Sequence, residues 1–187
     1  MKGKQTVWDM VRSLAVIGVV VAGIYMFVPH DDEADPTHVV DYRVETLTAR
    51  RAAPYPLAAP VGLPEEWRAT SVKFDRREAH RWHLGFLDPQ NQYVAVEQSS
   101  DASAGYLSKV TQKAKATGQT QQAGGVEWER WEGEKYDALV RQEQGHVTVV
   151  TGTAPFEDLG RMAAALEFKK ADAGGQSGQS GQAQQAG

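Results

Sequence analysis

The sequence predicts an α+β protein, in which an N-terminal transmembrane helix precedes an antiparallel sheet of about six strands covered by two helices. Three observations favour this class: an uncharged apolar run near the N-terminus, later segments that alternate apolar and polar residues, and two segments with apolar residues at helical spacing. The predicted order is three strands and a helix, then the same again. Local connections imply antiparallel pairing, and the helices must bury their apolar stripes on that sheet.

The composition limits the number of domains, the class of partner and the chemistry that the chain can have. Its 187 residues, 41% of them hydrophobic, are enough for one compact domain with a core, and not comfortably for two. The formal net charge of -4 gives no electrostatic reason to expect a nucleic-acid partner. There are no cysteines, which excludes disulfides, thiolate metal sites, cysteine nucleophiles and a lipidated-cysteine anchor.

Residues 10–28 are predicted to span the cytoplasmic membrane as a single helix. Residues 13–28 carry no charge, and a helix that starts at Met10 reaches about 28 Å, close to the roughly 30 Å hydrocarbon core. Basic residues precede the run and acidic residues follow it: Lys2, Lys4 and Arg12, then Asp31, Asp32, Glu33 and Asp35. By the positive-inside rule, the N-terminus stays in the cytoplasm and the rest of the chain is exported.

This topology divides the chain into a cytoplasmic segment at 1–9, the membrane helix, an acidic linker at 29–37 and an extracytoplasmic domain at 38–170. A cleaved signal peptide is the alternative for the apolar run. It is disfavoured because the run continues for several bulky residues beyond the small residue Ala22. Residues 171–187 are rich in glycine, glutamine and serine and predict a disordered tail.

The first part of the exported domain is ambiguous. Residues 40–47 fit either a strand or a short helix. Four prolines between residues 54 and 64 then forbid regular helix and force extended chain and turns. Residues 67–74 are rich in strand formers and predict the first strand of the sheet.

A hairpin and a helix complete the first half of the domain. Residues 81–98 contain two alternating strands around an Asp-Pro-Gln-Asn turn. Asp101 then caps a predicted helix that runs to about Lys115 and ends at Gly118. The glycine-rich stretch 118–125 lacks the Lys-Ser/Thr of a phosphate-binding loop and is interpreted as a connector.

The second half repeats the order of the first. Residues 126–131 predict a strand, and residues 136–151 predict a hairpin around a Gln-Gly turn. Thr153 caps a last amphipathic helix predicted over 155–168, whose apolar residues form a single stripe.

The stretch HRWHLGF, residues 80–86, holds two of the five histidines and is the first candidate for a metal site. On a helix His80 and His83 would share a face, but on a strand they point to opposite faces. The apolar residues alternate with the period of a strand: Trp82, Leu84 and Phe86. We therefore predict neither a metal site nor a cofactor, and we expect Arg81 and His83 to face outward together.

No catalytic residue is predicted, and we expect that the chain is not an enzyme. There is no G-x-S-x-G nucleophile elbow. The acidic stretch 126–137 offers carboxylates for glycoside hydrolysis. However, Glu127 and Glu129 alternate with apolar residues, as expected for the solvated face of a strand.

Trp131 is the aromatic residue with the best case for a binding role. It falls on the strand face opposite Trp128, and an aromatic side chain off the core face can mark a ligand groove or a partner patch. Together with Arg81 and His83 it forms the predicted partner or ligand surface.

Several ordered motifs carry a resemblance to a known family: RWHLGFLDPQNQYVAVEQS, GGVEWERW, YDALVR and TVVTGTA. With the preceding apolar helix, residues 45–168 resemble DUF4245, an actinobacterial family of single-pass membrane proteins with a domain of unknown function. The resemblance implies an anchored, exported protein of a high-GC Gram-positive bacterium, and it implies no activity and no catalytic residues. More loosely, the strand and helix order is similar to that of PsbP-like α/β sandwiches.

The predicted function is that of a membrane-anchored, extracytoplasmic accessory domain that binds an envelope protein without catalysing a reaction. One alternative is a binding module for a small apolar or glycan ligand, and a further one is a cell-wall hydrolase. The lipid bilayer is the expected partner of residues 10–28, and the oligomeric state stays open.

A reporter fused after residue 170 tests the predicted topology. A reporter that works only outside the cytoplasm is expected to be active, because the basic flank of the apolar run stays inside. The matched control is a reporter at the same position that works only in the cytoplasm, and its activity would refute export.

Overall fold

The computed structural model describes residues 8, 10–18, 21 and 39–171 of a chain that divides into two compact units, Met1–Thr37 and His38–Gly187. In the first unit, residues 10–18 are helical. Within the described residues, no helix combines the length and the apolar character needed to cross a bilayer. Most of the predicted span, the acidic linker and the tail from residue 172 onward lie outside the described residues, and the predictions for them stay predictions.

The second unit is built on a seven-stranded antiparallel sheet and a small two-stranded sheet. In chain order the strands are β1 (Leu57–Pro60), β2 (Arg68–Asp75), β3 (Arg81–Leu87), β4 (Tyr93–Ser99), β5 (Lys115–Ala123), β6 (Val126–Glu132), β7 (Asp137–Glu143), β8 (His146–Gly152) and β9 (Leu166–Lys169). The order across the large sheet is β2-β3-β4-β8-β7-β6-β5, and β1 pairs with β9. Every neighbouring pair is antiparallel, so the predicted α+β class and antiparallel sheet are confirmed.

Three helices pack around the strands of this unit, one more than the sequence predicts. They are α1 (Arg43–Ala52), α2 (Ala104–Val110) and α3 (Phe156–Ala165). The segment that the residues left ambiguous is therefore the beginning of a helix, whose buried side is formed by Thr46 and Ala49.

One face of the large sheet is covered by α1, α3 and the small sheet. Trp82 lies on this face, is fully buried, and donates a hydrogen bond from Nε1 to the carbonyl oxygen of Ala58 at 2.9 Å. Leu84 and Phe86 join Trp82 in the same core, which confirms the predicted inward side of β3. The buried amide of Gln98 on β4 pins β1 to this face, because its Oε1 accepts from the Ala58 N–H at 2.7 Å.

The opposite face is covered over only part of its width. The apolar side of α2 packs against β7 and β8, with Trp131 partly buried at the margin; the buried members are Tyr106, Leu107, Val110, Ala138, Val140, Val147 and Val149. No described residue of β2, β3 or β4 belongs to this second cluster. The side chains of those three strands on this face must therefore satisfy one another or meet solvent.

The prediction for the middle of the chain is wrong in two respects. The helix predicted to reach Lys115 ends at Val110, because Gln112 and Lys113 take left-handed φ angles of 52° and 73°. Residues 118–123 of the stretch interpreted as a connector belong to β5, an edge strand whose side chains are mostly exposed and polar, and only Gly124 and Gly125 form a turn. Such strands lack the apolar alternation that marks a buried one, and polar edges protect a sheet from pairing with other chains.

The caps and the last helix also differ from the prediction. Ser103, not Asp101, caps α2, since its Oγ accepts from the Tyr106 N–H at 3.2 Å. Thr153 does not cap α3; its Oγ1 instead accepts from the Tyr93 N–H at 2.9 Å. The helix predicted to continue to residue 168 ends at Ala165, because the following four residues pair with β1 inside the proline-rich segment. Here tertiary pairing overrides the helical periodicity.

Candidate functional site

The three strands at one side of the sheet place polar residues next to one another on the partly covered face. In the strand register His83 of β3 lies between Lys73 of β2 and Glu97 of β4. Ser71 is two residues before Lys73 and therefore projects from the same face of β2. Strand alternation and register alone thus assemble a serine, a histidine and a glutamate.

The three side chains form one continuous hydrogen-bonded chain. His83 Nδ1 lies 2.7 Å from Glu97 Oε1, and His83 Nε2 lies 2.9 Å from Ser71 Oγ. A carboxylate only accepts hydrogen bonds, so Nδ1 carries the imidazole proton and Nε2 is left as an acceptor for the serine hydroxyl. This order of hydroxyl, imidazole and orienting carboxylate is the arrangement that activates a nucleophile in many hydrolases.

Glu97 is the buried member of the chain and needs a charged partner. Only 5% of the residue is exposed, and its Oε2 accepts from Arg81 Nε at 3.4 Å. Arg81 is itself partly buried and also lies 3.8 Å from Glu78. Burial acts to lower the pKa of Arg81, but the neighbouring Glu97 carboxylate outweighs that effect and raises it. The guanidinium therefore stays charged and balances the buried carboxylate.

Two tyrosines, Tyr93 and Tyr106, lie near Glu97 in the polar region formed by β2, β3 and β4. Burial, followed by the nearby negative charge of Glu97, raises the pKa of Tyr93 to about 12 and that of Tyr106 still further. Both phenols therefore remain protonated at neutral pH and are available as hydrogen-bond donors. The Tyr106 hydroxyl is buried and finds no hydrogen-bond partner among the described residues.

Gly85 leaves the room that Ser71 occupies. Gly85 lies opposite Ser71 in the register, and a Cβ built on it would overlap Ser71 Oγ and lie 3.0 Å from the Tyr93 hydroxyl. A side chain at this position would displace the serine from His83. Thus glycine at position 85 is needed for the hydroxyl to reach the imidazole.

The polar region opens to solvent through two recesses that share Glu78 and Arg81. The first has a volume of about 210 Å³ and is lined by Lys73, Asp75, Glu78, Arg81 and His83. The second has a volume of about 500 Å³ and runs between β4 and α2 past Ser99, Tyr106 and Lys109. Their linings carry charges of both signs. Across the described part of the chain, no three histidine or acidic side chains stand close enough together to hold a metal ion.

The structure brings together two of the three residues predicted for a binding surface. Arg81 and His83 both contact Glu97 and line the smaller recess. Trp131 lies four strands away from His83 in the sheet order, about 19 Å, and donates from Nε1 to Glu129 Oε2 at 2.8 Å. It packs on the α2 cluster and takes no part in the polar region.

Ser71 and Glu97 are the members that sequence reasoning missed. Glu97 could have been found from the predicted hairpin. A five-residue connection between β3 and β4 places Glu97 opposite His83. No local pattern pointed to Ser71, which reaches the site through the pairing of β2 with β3.

The glutamates of β6 that suggested glycoside hydrolysis are engaged with their neighbours. Glu127 is exposed and accepts from Thr120 Oγ1 at 3.3 Å and from Gln122 Nε2 at 3.4 Å. Glu129 accepts from the indole of Trp131.

Replacement of Gly85 by alanine tests the packing at the serine. We expect Gly85→Ala to lower the free energy of unfolding by about 1–3 kcal/mol, the usual effect of overpacking, as measured by urea denaturation. The matched control is Gly105→Ala on α2, where the added Cβ meets nothing closer than 3.8 Å. That control should leave stability unchanged or raise it slightly, because alanine favours helix. Equal stability of both variants and the wild type would contradict the claim that only glycine at position 85 leaves room for Ser71.

Comparison with known proteins agrees with the motifs in the sequence. The family described as "Protein of unknown function (DUF4245)" matches residues 2–166, which is most of the chain. No curated protein matches it. The looser likeness to PsbP-like sandwiches stays a prediction. A family match of this extent, together with the ordered motifs quoted above, shows that the chain belongs to the DUF4245 family.

Proposed function

We propose that the chain is a single-pass membrane protein whose extracytoplasmic domain binds a partner at the cell envelope through the polar region formed by β2, β3 and β4. The apolar run with its basic and acidic flanks supports the tether and the orientation. The partly covered sheet face supports the location of the binding surface. Such a role requires no chemical step.

The observation that carries the binding proposal is the charged recess beside Arg81. Buried Glu97 fixes Arg81 and His83 in place, so that their outer sides are presented to the recess in a set orientation. Lys73, which is 70% exposed at its side chain, adds a cation at the rim. Pre-ordered polar groups lose little entropy on binding, which favours recognition of a polar, charged segment of another protein.

Binding of a glycan is a second candidate, favoured by the larger recess. Its volume of about 500 Å³ lies within the range of small-molecule sites, and the Tyr106 ring and several hydroxyl groups line it. A small apolar ligand is less well supported, because both recesses are lined mainly by charged and polar residues.

Site-specific photocrosslinking in intact membranes tests the proposed surface. A photoreactive residue in place of Lys73 is expected to capture a protein, since this position borders the smaller recess. The control position is Arg161, which is similarly exposed but lies on α3, the helix that packs on the opposite face. A saccharide adduct at position 73 would favour the glycan alternative. Equal capture at both positions, or none at either, would refute the proposed surface.

A further inference from the structure

We propose that Ser71 is a nucleophile activated by His83 and Glu97, and that the domain transfers acyl groups from polar esters that enter through the recess beside Lys73. This inference goes beyond partner binding and departs from the expectation that the chain is not an enzyme. It rests on the hydrogen-bonded chain itself, so it stands or falls independently of the crosslinking result.

The geometry supplies the base and its orienting group. The 2.9 Å contact between Ser71 Oγ and His83 Nε2 places the hydroxyl proton on the path to the imidazole. The 2.7 Å contact between His83 Nδ1 and Glu97 fixes the ring orientation and stabilises the imidazolium that forms when the proton moves. Arg81 keeps Glu97 from turning away, because it binds the other carboxylate oxygen at 3.4 Å.

Local features of the backbone fit a positioned serine. The register between β2 and β3 shifts between Ala69 and Ser71, which is the mark of a β-bulge. Bulges re-aim side chains and are enriched beside active sites. The glycine opposite Ser71 is the second feature, since any side chain there would occupy the place of the hydroxyl.

The two reacting side chains, Ser71 and His83, are both partly exposed. Ser71 is half-buried, and the side chain of His83 is 22% exposed and lines the smaller recess. Ser71 lies on β2, the edge strand of the sheet, so its outer side is not covered by a further strand. The Tyr93 hydroxyl, protonated at neutral pH, approaches the same point as Ser71 Oγ and is a donor available to a developing oxyanion.

The proposed reaction has two steps, acylation of Ser71 and hydrolysis of the acyl–Ser71 ester. Ser71 Oγ adds to the ester carbonyl and its proton passes to His83 Nε2. Collapse of the adduct breaks the bond to the alcohol, which leaves with that proton, and an acyl–Ser71 ester remains. Water then adds to the acyl group with His83 again as the base, and Ser71 leaves with the proton as the acid is released.

A fluorophosphonate probe tests the nucleophile on the full-length protein in phosphatidylcholine nanodiscs at pH 8. Attack by Ser71 forms an oxygen–phosphorus bond and expels fluoride, so mass spectrometry should find one phosphonyl group on the peptide that contains residue 71. Ser71→Ala should abolish the labelling, and His83→Gln should slow it about 100-fold or more, the usual contribution of a general base. Ser108→Ala, an exposed serine on α2, should label like the wild type.

Glu97 acts through His83 and is a positioning residue, so it needs a separate readout. In Glu97→Gln the imidazolium loses its stabilising charge, and the midpoint of labelling rate against pH should move to lower pH while the maximal rate falls. A merely structural role would lower the amount of folded protein without moving that midpoint.

The inference is overturned if the folded wild-type protein shows no phosphonyl group at Ser71 while a serine hydrolase added to the same nanodiscs is fully labelled. It is also overturned if His83→Gln, with an unchanged melting temperature, reacts at the wild-type rate. His83→Asn is prepared beside His83→Gln, and the variant that keeps the wild-type melting temperature decides: labelling slowed about 100-fold or more supports the inference, and labelling at the wild-type rate overturns it.

Discussion

A seven-stranded sheet has two faces to cover, and the described residues bury a large apolar cluster on one face and a smaller one on part of the other. Seven strands spaced about 4.8 Å apart form a surface roughly 30 Å wide. The small sheet, α1 and α3 pack over one face, whereas α2 on the other face has seven residues and a length of about 10 Å. The part of the second face formed by β2, β3 and β4 lies outside the α2 cluster. The hydrogen-bonded polar residues of the candidate site occupy this part of the face.

The polar residues in this region are organised by one buried carboxylate. An unpaired charge at the position of Glu97 would be strongly destabilising, so its neighbours must be cations or donors. Arg81 and His83 meet that need from the next strand, and the ring of His83 is then oriented toward Ser71. The other sides of the same strands contribute to the core, where Trp82 is fully buried. The core and the hydrogen-bonded Ser71, His83 and Glu97 therefore depend on the same strand register.

The sequence predicted the class of the fold, the two hairpins and the inward side of β3, because alternation around Trp82 is a local pattern. It did not predict the hydrogen-bonded chain, since that depends on pairing between strands. A one-residue change in the hairpin loop would turn Glu97 away from His83, and residue patterns do not fix loop length that closely. Ser71 depends further on a bulge in β2. The polar edge strand Lys115–Ala123 was missed because it has no apolar face to bury.

The positions of the protons on the His83 ring decide whether Glu97 holds the imidazole as a base for Ser71. Proton NMR of the full-length protein with ¹⁵N-labelled histidine should show one imidazole with a strongly deshielded proton on Nδ1 and with Nε2 unprotonated at neutral pH, as a hydrogen bond from Nδ1 to Glu97 requires. That signal should disappear in Glu97→Gln. A His83 ring that carries its proton on Nε2, or that exchanges freely between both forms, would contradict an imidazole held by Glu97 and ready to accept a proton from Ser71.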